Sequence, residues 1–381
     1  MIFNEWKTVK VGETIISSNT GLDAIKRAPI VDYNSGIKCL RIQDISQNKN
    51  FEDWGYCLVE EKNFKKFQLV KGDIIVARTG ATIGVNRLIK QNLKAVYNNG
   101  LIRIKSNADI INTDYLYYNL QSHKYKGHIQ AISGGTSTQP NMKMNALLDY
   151  EIKLPSLNEQ KSIAHILSTL DDKIEVNNQI NKTLENMAQA YFDDMFPNVA
   201  AGDTTIGEYI TPKRGKNLLS KDAISGEVPV IAGGLSPATY HNVSNTQSPV
   251  ITISASGANA GFVNLWTVPV WSSDSSFIDY GMTKDVYFWY VMLKKRQKEI
   301  YDSQTGSAQP HIYPKHITIM PTIKLNVDEI NLYTKRVTPL FKKIANNLYE
   351  ISKLQLIRDT LLPKLMSGEI RVPLDEEGAV S

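Results

Sequence analysis

The side chains placed to do chemistry in this chain are basic, amide and hydroxyl groups beside glycine turns. Such groups suit hydrogen bonding and charge pairing rather than bond making. IVARTGATIG (75–84) sets Arg78 and Thr79 before Gly80, and TISASGANAG (252–261) sets Ser256 and Asn259 around Gly257. Lys213, Arg214 and Lys216 crowd the segment PKRGK, a cluster suited to anions such as phosphate. Signatures of bond-making sites are missing. No Asn/Asp-Pro-Pro-aromatic tetrapeptide is present to hold an adenine amino group. No G-x-x-x-x-G-K-[ST] loop cradles phosphates, since GATIGVNR lacks both the lysine and the hydroxyl. The glycines of GATIG and GANAG therefore read as tight turns between strands. His123, His128, His165, His241, His311 and His316 show neither HExxH nor cysteine-paired metal spacing, and His165 reads as a surface or docking residue. Cys39 and Cys57 are too few for a metal cluster or a disulfide framework and read as reduced thiols. A nuclease carboxylate cluster, whose spacing is loose, is the enzymatic alternative left open.

The elements that must carry these groups come in two copies. The glycine pair Gly80/Gly84 is matched by Gly257/Gly261, GGTSTQPNM by QTGSAQPHI, and VGETI (11–15) more loosely by IGEYI (206–210). DDKIEVNNQINKTLENMAQAYF (171–192) aligns without a gap to FKKIANNLYEISKLQLIRDTLL (341–362). Each copy is thus a mixed segment followed by a long helix. Short apolar runs such as DIIVA, LIRIK and PVITI, bounded by Gly, Asn and Pro, predict strands. Residues 114–130 and 285–301 predict matching helices. The aromatic stretches WTVPVW and YFWYV are either core or interface.

In the helical segments, alternating steps of four and three give Ile163, Leu167, Leu170, Ile174, Asn177, Asn181, Leu184, Ala188, Tyr191 and Met195. The second copy gives Tyr333, Val337, Leu340, Ile344, Asn347, Ile351, Leu354, Arg358, Leu361 and Leu365. Such a seam predicts coiled-coil packing, with the asparagines setting register. Two independent amphipathic surface helices are the simpler alternative. Ser168 with Asp171 three residues on, and Thr338 followed by Pro339, read as helix starts. Each segment is therefore expected to split into a short helix (about 158–167 and 328–337) and a long one (169–196 and 339–366).

Composition sets outer bounds. With 42% apolar and 21% charged residues, the 381-residue chain has enough apolar material for two cores. The net charge of +5 is unevenly spread. Residues 1–157 have 21 Lys/Arg against 14 Asp/Glu, and 158–198 have 3 against 7. Residues 199–327 have 11 against 9, and 328–381 have 8 of each, so basic excess lies between the helices. No apolar leader opens the chain and no run of about eighteen apolar residues occurs, so a soluble, cytoplasmic protein is expected.

The helical segments LPSLNEQKSIAHILSTLDDKIEVNNQINKTLENMAQAYFDDMF (154–196) and LQLIRDTLLPKLMSGEIRV (354–372) resemble those of type I restriction–modification specificity subunits. GIKCLRIQDI (36–45), KGDIIVARTGATIG (71–84) and GEVPVIAGG (226–234) are similar to strand-and-turn motifs of that family's target recognition domains. The resemblance implies an α+β protein with two similar target recognition domains separated by two long helices, packed as an antiparallel coiled coil. The expected limits are 1–157 and 199–327 for the recognition domains, 158–198 and 328–370 for the helical regions, and 371–381 for an acidic tail. The family pattern implies that each domain binds one half of a split double-stranded DNA site. The helices then serve as spacer and dock two adenine methyltransferase subunits; restriction subunits can join. No catalysis and no cofactor are expected on this chain, with S-adenosylmethionine, ATP and Mg confined to partner subunits. A long helix of about 28 residues would span roughly 42 Å, near one turn of B-DNA at about 34–36 Å.

Under that reading, groups shared by the copies, such as Gly80/Gly257 and Gln139/Gln309, serve architecture or a common backbone contact, and groups that differ beside them read different half-sites. The candidates are Arg78, Thr79, Asn98, Asn99, Gln139 and Lys143 in the first domain. In the second they are Lys213, Arg214, Lys216, Ser256, Asn259, Ser273, Gln309 and Lys315. Taken singly, each also suits a solvated surface or turn position, so the set carries more than any member. The rival reading is a coiled-coil scaffold or adaptor that binds no DNA.

Overall fold

Runs rich in β-branched residues become strands buried on both faces. IIVA (Ile74–Ala77) and VITIS (Val250–Ser254) are buried at every position, and each lies inside a four-stranded antiparallel sheet. The computed structural model describes residues 5–133, 141–306 and 309–372. The chain divides into two units, Met1–Ile174 with Ser352–Ser381, and Glu175–Ile351.

In the first unit the larger sheet has the order Ile15–Thr20, Leu101–Ser106, Ile74–Ala77, Asn86–Leu88. A second sheet orders Ile30–Val31, Tyr56–Cys57, Lys38–Leu40 and Ala95–Tyr97, the last two strands being parallel. Lys7–Lys10 pairs with Glu151–Leu154. The second unit repeats the scheme. Lys213–Arg214, Ser275–Asp279, Val250–Ser254 and Val263–Trp266 form the larger sheet. Thr239–His241, Val228–Ile231 and Trp271–Ser272 form the smaller, again with a parallel pair, and Thr204–Thr205 joins Pro321–Thr322. Each unit therefore carries the mixed α and β content expected from its copy of the repeat.

Two long helices complete the units: Leu157–Met195 (central) and Val327–Ser367 (distal). Within the first unit, Arg358 meets Asp171 at 2.7 Å and Arg371 meets Glu159 at 2.6 Å, so the segments run antiparallel. Within the second unit, Asn177 Nδ2 donates to Glu350 at 3.0 Å and Tyr333 donates to the Ala188 carbonyl at 2.9 Å, again antiparallel. In the second unit Asn177, Asn181, Ile344, Asn347 and Ile351 of the seam are buried and Leu184 and Leu340 half-buried; in the first unit Ile174 is buried and Leu170 and Leu354 half-buried. Exclusion of these apolar side chains from water holds the helices to their own unit.

The expected helix breaks are corrected. Both helices run through Ser168 and Pro339 without interruption. The Ser168 hydroxyl donates back to the His165 carbonyl at 3.2 Å instead of capping a new start. Asp171, its expected capping partner, instead accepts from Tyr118 and Arg358. Pro339 is exposed, so the Lys335 carbonyl it leaves without an amide donor lies on the wet side, where water can satisfy it. The opposite correction applies to the shorter helices. Residues 114–130 form Thr113–Asn119 and His123–Ser133, and residues 285–301 form Val286–Lys295 and Gln297–Asp302. Ser122 Oγ accepts from the Tyr125 amide at 3.2 Å, starting the new helix, and Arg296 at the second break bonds Glu299 and the Pro321 carbonyl. Phe288, Trp289 and Tyr290 of the aromatic stretch lie in the second unit's core with Phe192, Phe196 and Tyr333.

Candidate nucleic-acid interface

A strand that ends on a left-handed glycine turns back sharply, exposing the residues just before it. Gly80 and Gly84 take φ of +83° and +85°, and Gly257 and Gly261 take +83° and +87°. A Cβ at Gly80 or Gly257 would meet open space, so the turn itself demands glycine there.

In the first unit, main-chain bonds draw three segments to this turn. The Arg78 amide donates to the Gly100 carbonyl, the Met142 amide donates to the Arg78 carbonyl, and Thr79 bridges Asn141. Arg78, Thr79, Asn98, Asn99 and Lys143 are thereby brought to one edge of the unit, at the ends of the sheet's interior strands. Arg78 Nη2 donates to Asn141 Oδ1 at 3.1 Å, while its Nε is buried with no partner among the described residues. Asn98 Oδ1 is buried in the same condition, and the Asn98 amide is spent on the Leu40 carbonyl. Asn99 and Lys143 are exposed. Gln139 lies outside the described residues.

The second unit builds the same lattice from different side chains. The Ala255 amide donates to the Asp274 carbonyl, the Ile312 amide to the Ala255 carbonyl, and Ser256 bridges His311. The Gly215 and Lys216 amides donate to the Ser275 and Ser272 carbonyls, and Ser273 Oγ accepts from the Leu218 amide at 2.9 Å. Lys213, Arg214, Lys216, Ser256 and Ser273 thus converge, with exposed Gln309 two residues from His311. Arg214 Nη2 bonds Asp274 Oδ1 at 2.5 Å, and the Ser256 hydroxyl bonds the other Asp274 oxygen. Two candidates have other surroundings. Asn259 sits in the turn, its carbonyl accepting from the Phe262 amide, and Lys315 lines a cleft with Thr205, Gly207 and Thr211.

Sequence reasoning missed Asn19 and Thr20. The Gly21 and Leu22 amides donate to the Leu101 and Tyr97 carbonyls, the counterparts of the Gly215 and Lys216 bonds, so Thr20 stands where Arg214 does. The signal was Gly21 itself. A Cβ at Gly21 would overlap the Tyr97 carbonyl, and one at Gly215 would overlap the Ser272 carbonyl, so both need glycine for close approach. Asn19 Oδ1 accepts from the Tyr97 hydroxyl at 2.6 Å, and burial pushes that hydroxyl above its ordinary pKa, keeping it a neutral donor.

Among the described residues no group of three or more His, Cys, Asp or Glu side chains could hold a metal ion. None of the described helices is long and apolar enough to cross a membrane. Cys39 and Cys57 are free and buried.

Residues 4–186 match the family described as type I restriction modification DNA specificity domain. The type I restriction enzyme MjaIX specificity subunit of Methanocaldococcus jannaschii is 27% identical over 374 residues, covering 82% of each chain. The type I restriction enzyme HindI specificity subunit of Haemophilus influenzae is 26% identical over 237 residues, covering 59% of this chain and 49% of its own. A crystal structure of a type I restriction-modification system S subunit from M. genitalium shares the fold, with a TM-score of 0.61, 22% identity and 96% coverage of both chains.

Proposed function

As residues 4–186 carry the type I restriction modification DNA specificity domain, and the curated relatives agree on a specificity subunit, we propose that each unit reads one half of a bipartite duplex site. A specificity subunit is the non-catalytic member of its system. One observation carries the half-site reading. The two edges keep a common main-chain lattice while exchanging the side chains it presents: Arg78 for Ala255, Thr20 for Arg214, Asn141 for His311. A fold that needs the lattice but not the side chains can address two different sequences with one architecture. A scaffold that binds no DNA has no use for that exchange.

Exposed Lys143 in the first unit and Lys213 and Lys216 in the second serve phosphates, which position the duplex, and the amide and guanidinium groups beside them in each unit meet base edges. Ser273 is buried and the Ser256 hydroxyl is engaged by Asp274, whereas Asn98, Asn99 and Gln309 belong to the second class, with the Thr79 hydroxyl beside them. Gln139 joins them by analogy with Gln309. The long helices dock two adenine methyltransferase subunits and set the unread spacer. Those partners bring S-adenosylmethionine, and restriction subunits bring ATP and Mg. At 39 and 41 residues the uninterrupted helices each extend about 60 Å, longer than the split helices would be.

The test substitutes Arg78 and Lys143 in the full chain expressed with its methyltransferase. R78A is expected to relax one half-site by about 1–3 kcal/mol of discrimination and leave the other intact. K143A is expected to weaken all sequences alike. Unchanged affinity and unchanged preferences for both variants would show that this edge does not meet DNA.

A further inference from the structure

We propose that Arg214 reads a guanine, with Asp274 and Ser256 as the residues that position its guanidinium; the proposal rests on the half-site reading above. Asp274 is held at both oxygens. One accepts from Arg214 Nη2 at 2.5 Å and the other from the Ser256 hydroxyl, while the Ser256 backbone is fixed by its bridge to His311. The Arg214 side chain is nonetheless 42% exposed, so a restrained guanidinium faces outward.

Three considerations favour a base over a phosphate. A carboxylate on one Nη2 hydrogen leaves the remaining hydrogens of the fork free. Two parallel donors match the O6 and N7 acceptors that guanine presents in the major groove. A phosphate approaching the same guanidinium would also meet the Asp274 carboxylate at close range, a like-charge penalty that a neutral base edge escapes. The exposed Lys213 and Lys216 on either side make no ion pair with a carboxylate among the described residues, and they are the better phosphate contacts. Restraint before binding also lowers the ordering cost of the arginine.

The repeat separates this pair from the fold. Thr20 stands at the place of Arg214, and Gly100 at the place of Asp274, so both members are missing from the first unit. The glycines Gly21 and Gly215 and their main-chain bonds are kept in both. A pair needed to build the edge would not be replaced on both sides while the edge survives. It is therefore a group of the second half-site alone.

The experiment expresses the full chain with its methyltransferase and reads the methylated sequences across a genome. The half-site left intact by R78A should contain a guanine. In R214A, preference for guanine at that position should fall by about 5- to 150-fold, the equivalent of one bidentate pair, with every other position kept. R214K, which keeps the charge but loses the fork, should relax the same position. D274N should relax it too, and should add nothing once Arg214 is alanine, an outcome a merely structural Asp274 would not give. The inference is overturned if R214A and R214K keep the motif intact, if methylation falls equally at all sites, or if that half-site holds no guanine. Should R214A fail to assemble, R214K decides by the same reading. A wild-type chain that directs no methylation removes the half-site reading and this inference with it.

Discussion

Asn347 Nδ2 donates to Asn181 Oδ1 at 2.8 Å inside the buried seam of the second unit. Asn347 is fully buried, and its own Oδ1 has no partner among the described residues. Register is the gain, since an apolar layer would tolerate a slip that an amide pair would not. Replacing Asn347 with alanine should cost about 1–3 kcal/mol, because Asn181 is left buried and unpaired. The paired N181L/N347L variant should recover that loss or exceed wild-type stability. Urea unfolding of the four members of the cycle measures both. A double variant as unstable as N347A alone would show that the amide pair is a net stabiliser rather than a register device.

Arg371 closes over Glu159 at 2.6 Å in the first unit, and the same carboxylate accepts from the Trp6 indole at 3.1 Å. Glu159 is 4% exposed. Removing the cation strands a buried carboxylate, so R371A should lower stability by about 3–5 kcal/mol. The E159Q/R371M pair should lose less, as no charge is left behind. Calorimetry of the two variants separates an uncompensated charge from loss of packing.

The turn glycines differ in what surrounds them. At Gly80 and Gly257 only the left-handed backbone opposes a side chain, so G80A and G257A should each cost about 1–2 kcal/mol. At Gly84 a Cβ would come within 2.9 Å of Ile129, and at Gly261 within 2.9 Å of Ile300, so alanine there should cost more. Chemical denaturation of the four variants gives the ranking. Equal losses at all four would mean that the isoleucines yield without strain.

What the sequence made legible was whatever repeats. Paired glycines marked the turns, and steps of four and three marked the seam, because both are local patterns with one structural cause. The continuous helices were not legible, since Thr338-Pro339 has the chemistry of a helix start. Only the exposure of Pro339 shows that its lost amide bond is tolerable. The broken helices at Ser122 and Arg296 were missed for the converse reason. Their breaks depend on side-chain bonds such as Arg296 to the Pro321 carbonyl, 25 residues away. At the edges, Arg78 could be named from its neighbouring glycine and Arg214 from its basic cluster, but their holders Asn141 and Asp274 lie 63 and 60 residues away along the chain. Thr20 was overlooked because Gly21 alone, without its Tyr97 carbonyl, resembles any loop glycine.

If the helices set the spacer, adding seven residues to each should lengthen it while keeping the seam in phase. The added length is roughly 10 Å, or about three base pairs at 3.4 Å each. A four-residue insertion shifts the seam and should damage assembly first. Methylated motifs from the heptad variant give the spacer directly. An active complex with an unchanged spacer would show that the helices do not set it.

The central question is whether this chain confers a split recognition sequence. Genome-wide methylation mapping in cells that express the full chain with its methyltransferase, against cells that express the methyltransferase alone, measures this. Two short specified half-sites separated by a fixed unspecified spacer should appear only when this chain is present. A motif that is contiguous, or identical with and without the chain, would contradict the account.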